Sequence, residues 1–302
     1  MGAAARGTVV AAFGRHYEVE LDGGGRLEGH PRAKKSPYAC GDRVELEIAA
    51  RGQGRILAHL PRTSLLYRSD AWKQKLIAAN ATQLLLVVAV DPSFSDALLS
   101  RALVAAEHEG LRPLIALNKC DLGAERPAAL DAARRLLAPY AALACRVVEL
   151  SARHDATPLL PLLAGECTVL VGQSGMGKST LTNALAPGAA AATREISAAL
   201  DSGKHTTTHA RLYRLPDAAC PGGRLIDSPG LQEFGLAHLS PAEIEFGFAE
   251  FRPFLGQCRF RDCRHEAEPD CAIKAALAAG IIHPRRLEHF RQLIAETRHG
   301  SH

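Results

Sequence analysis

Near the start of the chain, apolar and polar positions alternate over five short stretches, residues 8–13, 17–21, 26–29, 43–48 and 54–60. Turn-forming groups such as Asp22-Gly23-Gly24-Gly25 and Cys40-Gly41-Asp42 separate them, so the spacing predicts β-strands. Five strands in about 60 residues with no helical pattern predict a small barrel. From residue 84 the pattern changes. Leu84-Leu85-Leu86-Val87-Val88-Ala89-Val90 is a continuous apolar run, as in a strand buried on both faces, and shorter runs follow at 113–117, 147–150, 167–171 and 224–227. Helical stretches at 96–109 and 128–139, a short helix, and another after the run at 167–171 alternate with these strands, and a further strand is expected at 210–215. That alternation predicts a mostly parallel α/β sheet covered on both faces. Towards the end, 272–279 and 284–298 read as helices. At 302 residues the chain exceeds one ordinary core, and the expected divisions are 1–68, 69–236 and 237–302.

Composition narrows the function classes. No apolar run reaches the roughly 18 residues of a membrane span, and Met1-Gly2-Ala3-Ala4-Ala5-Arg6 leads into strand-like sequence instead of a signal-peptide core. A cytoplasmic protein without a membrane partner is expected. Its eight cysteines then point to thiols and metal ligation in place of disulfides. Net charge is only +4, so any basic surface for nucleic acid is local. Pro31-Arg32-Ala33-Lys34-Lys35-Ser36, with Arg51, Arg55, Arg62 and the aromatics Phe13, Tyr17 and Tyr38, fits either an RNA surface or solvated charges around core aromatics. No period of about 20–50 residues repeats, which removes solenoids.

The chemistry sits at strand ends. Gly172-Gln173-Ser174-Gly175-Met176-Gly177-Lys178-Ser179 fits G-x-x-x-x-G-K-[ST] between a buried strand and a helix that continues through Thr180. Its glycines let backbone amides curl around a phosphate, Lys178 reaches the β and γ oxygens, and the Ser179 hydroxyl suits Mg²⁺. Asn118-Lys119-Cys120-Asp121 follows another strand, and the Asp121 carboxylate can accept from two guanine donors at once, which adenine does not offer. An ATPase is disfavoured on that ground. Ser151-Ala152 resembles the motif that supports guanine from its other side. Asp227-Ser228-Pro229-Gly230 matches D-x-x-G, with Asp227 near the metal and the Gly230 amide near the γ-phosphate. Near the C-terminal end, Cys258, Cys263, His265 and Cys271 suit one tetrahedral, structural Zn²⁺ with no position left open for water.

The order N-K-x-D, S-A, phosphate loop, D-x-P-G is a circular permutation of the Ras-like order. With Gly203-Lys204-His205-Thr206-Thr207-Thr208 and Asp227-Ser228-Pro229-Gly230-Leu231-Gln232-Glu233-Phe234-Gly235-Leu236, it resembles the small ribosomal subunit-dependent GTPase family called RsgA or YjeQ over nearly the whole chain. The resemblance implies an OB-fold for the barrel, a central permuted P-loop GTPase domain and a mostly helical zinc-binding domain with His265 as a ligand. It implies binding of GTP and GDP with Mg²⁺, contact with ribosomal RNA, and GTP hydrolysis in late maturation of the small (30S) subunit, the GTP state bound and released after hydrolysis. Two other readings are a nucleotide-gated RNA-binding module with incidental hydrolysis and a permuted GTPase acting on another ribonucleoprotein. A monomer is the default expectation. Leu231 stands where many GTPases place the Gln that orients the attacking water. The resemblance supports His205 for that part, so His205 and Lys178 are the catalytic candidates. One Thr of Thr206, Thr207 and Thr208 is expected to cap Mg²⁺ and the γ-phosphate. Arg285, Arg286 and Arg291 on the last helix fit either a basic face for RNA or a solvated surface.

Overall fold

The computed structural model describes residues 3–14, 16–32, 38–50, 52–69, 74–143, 145–189, 210–227, 236 and 238–299. Strands β1 (Ala3–Ala12), β2 (Tyr17–Leu21), β3 (Arg26–Pro31), β4 (Arg43–Ala50) and β5 (Gln53–His59) pair in the order β1-β2-β3-β5-β4 and close through β1–β4. Only the β3–β5 pairing is parallel. That closed five-strand order is OB-like, and its alternating inward positions, Val9, Val19, Leu27, Val44, Leu46 and Ile56, form a core of their own. Tyr17 and Tyr38 belong to that core. Their rings meet edge-on at 5.4 Å, and Tyr17 is fully buried. They are therefore not a stacking surface for RNA. Arg62 is likewise structural, donating to both carboxylate oxygens of buried Asp42 at 2.7 and 2.6 Å. Phe13 stacks on His16 at 4.9 Å, and Arg32 and Arg55 are exposed. Lys34, Lys35 and Arg51 lie outside the described residues.

A hairpin of β6 (Leu65–Ser69) and β7 (Gln74–Ala79) follows the barrel; the hydrophobic pattern did not predict it. Then comes the α/β sheet. Strands β8 (Gln83–Ala89), β9 (Arg112–Asn118), β10 (Arg146–Glu149), β11 (Cys167–Val171), β12 (Arg211–Arg214) and β13 (Arg224–Asp227) lie in the order β10-β9-β8-β11-β13-β12. All neighbours are parallel except β12, an antiparallel strand that meets β1 at Ala11 and Arg211 and so continues the sheet into the barrel. Every residue of β8 and β11 is buried, as strands covered on both faces require. Helices α1 (Asp96–His108), α2 (Pro127–Ala142), α3 (Leu160–Leu163) and α4 (Lys178–Leu185) connect the strands. The carboxyl ends of β8, β9 and β11 thereby open on one side, where ligands of such sheets bind.

Beyond the sheet stand α5 (Pro241–Phe246), α6 (Ala272–Ala278) and α7 (Pro284–His299). A capping box starts α5: Glu243 N donates to Ser240 Oγ at 3.3 Å and Ser240 N to Glu243 Oε2 at 2.7 Å. Phe248, Phe251 and Phe290 pack with ring centroids 5.1–5.6 Å apart. Each buried ring contributes roughly 2 kcal/mol. The last helix turns one arginine fully inward. Arg286 is only 2% exposed, sits 4.4 Å over the Phe248 ring, and donates to Glu250 at 2.6 Å and to Ser100 on α1 at 2.7 Å. Arg285 forks onto Asp96 of α1, and Arg291 donates to the His265 carbonyl. These three therefore tie the C-terminal helices to α1 and to the Cys/His loop; buried Arg286 is no part of a free surface, whereas Arg285 and Arg291 remain exposed.

Candidate functional site

Asn118 is the centre of the site. It ends β9, is 2% exposed, and donates from Nδ2 to the Met176 carbonyl at 2.9 Å while its Oδ1 accepts from the Ala152 amide at 2.8 Å. One side chain thus ties N-K-x-D to both S-A and the phosphate loop. Backbone bonds reinforce the first tie, Cys120 N to Leu150 O at 3.1 Å and Leu150 N to Leu117 O at 2.9 Å. Gly177, at φ +90° before α4, leaves room for this contact: a Cβ there would stand 2.3 Å from Asn118 Nδ2. Glycine is needed at that position for both conformation and space.

Other candidate residues within the described chain make contacts of their own. Lys119 is left-handed at φ 61° and donates from Nζ to the Asp91 carbonyl at 2.7 Å, bracing the end of β8. The Ser151 hydroxyl beside Asp121 holds that carboxyl below the usual carboxylate range, with His154 Nε2 3.7 Å away. Asp121 is an exposed acceptor pair at the mouth of the site. Lys178 donates to the Gly172 and Gln173 carbonyls at 2.6 and 2.7 Å, leaving one of its three protons for a ligand. Burial lowers its pKa and raises that of Asp227, whose Oδ2 accepts from Thr182 Oγ1 at 3.2 Å. An anion at Lys178 together with a cation at Asp227 would relieve both. Ser174, Gly175, Ser179 and Thr180 are exposed on the loop and the first turn of α4, while Met176 is buried. His205, Thr206, Thr207, Thr208, Gly230 and Leu231 lie outside the described residues.

The second centre is the Cys/His cluster. Ligand atoms of Cys258, Cys263, His265 and Cys271 all lie within 4.8 Å of one another. Cys258 Sγ is 3.9 Å from Cys271 Sγ and 3.7 Å from His265 Nδ1. Zinc–sulfur bonds of about 2.3 Å at tetrahedral angles put sulfurs about 3.8 Å apart, so the donor set fits that ion. His265 turns its other nitrogen, Nε2, to Glu245 Oε1 at 2.5 Å, the carboxylate arrangement that fixes a ligand imidazole. Cys271 also caps α6, accepting from the Lys274 amide at 3.4 Å. Glu245 was not visible as a partner in the sequence, because it lies on α5, 20 positions before the loop residue His265.

A family model described as RsgA GTPase matches residues 59–237, from the end of the barrel through the nucleotide motifs and short of the Cys/His cluster. The chain belongs to the RsgA GTPase family. It is similar to the small ribosomal subunit biogenesis GTPase RsgA of Burkholderia mallei (strain SAVP1), with 55% identity over 300 residues, 98% of this chain and 93% of that protein. The protein of the same name from Nitrosomonas europaea is 53% identical over 293 residues, covering 97% and 92%. Among solved structures, YjeQ from Thermotoga maritima aligns with TM-score 0.74 and 30% identity over 98% of this chain and 99% of that one. YloQ, described as a circularly permuted GTPase, aligns with TM-score 0.71 and 27% identity over 98% and 96%. RsgA membership accounts for a guanine-type motif that precedes the phosphate loop. As a GTPase family it also implies Mg²⁺ with GTP.

Proposed function

We propose that this chain is a GTP hydrolase of small-subunit maturation: it binds the small (30S) ribosomal subunit in the GTP state and leaves after hydrolysis. One observation carries the catalytic part of this reading: Asn118 joins the guanine-type motifs to the phosphate loop in a single pocket. In that pocket Asp121 accepts from guanine, with Asn118, Lys119, Ser151 and Ala152 shaping its surroundings. The backbone of residues 172–177 cradles the phosphates, and Lys178 neutralises charge on the β and γ oxygens. Mg²⁺, bound at Ser179 and near Asp227, supplies further neutralisation there. Thr180 extends the cradle, one of Thr206, Thr207 and Thr208 closes over the γ-phosphate, and the Gly230 amide senses it. His205 orients the attacking water in place of the glutamine that Leu231 replaces. Zinc at Cys258, Cys263, His265 and Cys271 is structural.

The partner's name on the relatives supports the ribosomal assignment. Contact with ribosomal RNA is proposed for the exposed barrel arginines Arg32 and Arg55. The working organisation is 1–68, 69–236 and 237–302, with β6 spanning the first division. The acting form is a monomer in the cytoplasm, and no described helix is long and apolar enough to cross a membrane.

Phosphate release from GTP, measured with purified protein titrated with small subunits, tests the proposal. Strong stimulation is expected; none at any ratio would favour a nucleotide-gated RNA-binding module instead. His205→Ala should lower the stimulated turnover by roughly a hundredfold or more while changing GTP affinity little. Equal losses of binding and turnover would remove His205 from the chemistry.

A further inference from the structure

The second residue of the phosphate loop has a side-chain role that its motif does not specify. Gln173 Oε1 accepts from the backbone amide of Ser95 at 2.8 Å. Ser95 is the N-cap of α1, and its own side chain caps nothing. The loop therefore satisfies a donor at the helix start that would otherwise lack a partner. On the main chain, the same Gln173 accepts from Lys178 at 2.7 Å. Gln173 thus touches both the ammonium that meets phosphate and the first turn of α1.

The next residue reaches the C-terminal helices. Asp96 is buried, and its carboxylate takes both Arg285 bonds, 2.6 and 2.8 Å, with His289 Nε2 at 3.6 Å. Its carbonyl accepts from Tyr140 on α2 at 2.6 Å. Loss of Arg285 would leave this buried carboxylate without its charged fork, one residue from Ser95, so the cost falls on the first turn of α1. A small cavity lined by Ser95, Leu98, Leu99, Val171 and Gln173 lies against that turn, which is therefore not close-packed.

We propose that Arg285, Asp96, Ser95 and Gln173 form a relay through which docking of α7 on α1 sets the phosphate loop for nucleotide, with Gln173 as the positioning residue. It rests on the reading of the loop as the nucleotide site. The coupling is reciprocal: nucleotide in the loop tightens the hold of α1 on α7. It runs separately from the chain that follows D-x-x-G, which joins the same two regions in sequence.

Full-length, zinc-loaded protein and a fluorescent GDP analogue test this in a double-mutant cycle. Arg285→Ala, which lies on a different element from the loop, should weaken GDP binding roughly two- to thirty-fold. Gln173→Met, which keeps length but lacks the acceptor, should do the same, and the double variant should bind no more weakly than the worse single one. Hydrogen exchange supplies the second readout. GDP should slow exchange in α7 and the first turn of α1 of the parent protein, and this protection should vanish in Gln173→Met. Unchanged GDP affinity in Arg285→Ala overturns the relay, as does full additivity in the double variant. Should Arg285→Ala fail to fold, α7 protection that survives in Gln173→Met overturns it equally. A parent protein that binds no guanine nucleotide overturns the reading of the site itself, an outcome distinct from loss of coupling alone.

Discussion

The nucleotide pocket and the metal loop gather their residues in opposite ways. Asn118 and Met176 are 58 positions apart and meet because β8 lies between β9 and β11, whereas Cys258 and Cys271 are only 13 apart in one continuous segment. In the first case the sheet does the placing, so the order of motifs along the chain is free to be permuted. In the second, local spacing does the placing and the order matters. The pocket should therefore depend on the core of the sheet, and the loop on its ion.

Removing zinc should separate them most sharply. Structural zinc contributes about 10–16 kcal/mol to the folding of small finger peptides. Chelation, or Cys271→Ser, should cost the C-terminal helices their order, since Cys271 is also the cap of α6. The parallel sheet should persist and still bind guanine nucleotide, more weakly by no more than the factor set by the α7 contacts. Circular dichroism melts paired with nucleotide titration check this. Simultaneous loss of both would show that the metal loop supports the pocket as well.

The converse experiment strikes the pocket. Asn118→Ala leaves the Met176 carbonyl and the Ala152 amide without their partner, at about 1–3 kcal/mol for each buried group. Guanine nucleotide affinity should drop roughly a hundredfold, with zinc content unchanged by metal analysis. Gly177→Ala should weaken binding too, because its Cβ would stand 2.3 Å from the same amide nitrogen. A milder change sharpens the base assignment. Asp121→Asn exchanges an acceptor for a donor and should transfer preference from guanine to xanthine nucleotides. GTP affinity that stayed unchanged would place base recognition elsewhere.

What could be read from the sequence follows the same division. The glycines at 172, 175 and 177, the apolar runs before each motif and the Cys/His spacing are local signals, and these were legible. So were the barrel strands, since one buried face forces alternation. Contacts between distant segments were not. Arg286 reads as an exposed cation on a polar helix; its burial requires Glu250, 36 positions earlier, and the Phe248 ring. Gln173 and Ser95 are 78 positions apart, and nothing in a phosphate-loop pattern specifies that side chain. Tyr17 and Tyr38 illustrate the reverse error, since aromatics near a basic loop look like an RNA surface until the barrel closes over them. The hairpin β6–β7 escaped because no glycine, proline or asparagine between residues 65 and 79 marks a turn between its strands.

The smallest effect is expected where the two regions meet. His289 lies between α7 and α1, and burial pushes its pKa below the usual imidazole value, the Asp96 carboxylate opposing and Arg286 and Arg285 assisting. Tyr140 gives its proton to the Asp96 carbonyl, so Ser100 donates to Tyr140 Oη at 2.9 Å while its oxygen accepts from Arg286 and faces His289 Nδ1 at 2.8 Å. A base whose folded pKa is depressed is protonated first in the unfolded chain. Its stabilisation is therefore present above about pH 6.5 and is lost as pH falls towards the folded value. Asp96, which Arg285 and His289 hold low against the opposing effect of burial, adds no pH dependence until far more acidic conditions. Denaturant unfolding between about pH 7.5 and 5.5 should lose on the order of 1 kcal/mol, and His289→Gln should flatten that slope while lowering stability at neutral pH. A slope that survives the substitution would move the titrating group to His238, which burial and neighbouring His108 also depress. The proton-sensitive contact would then lie at His238, past the D-x-x-G motif, not at the α1–α7 seam.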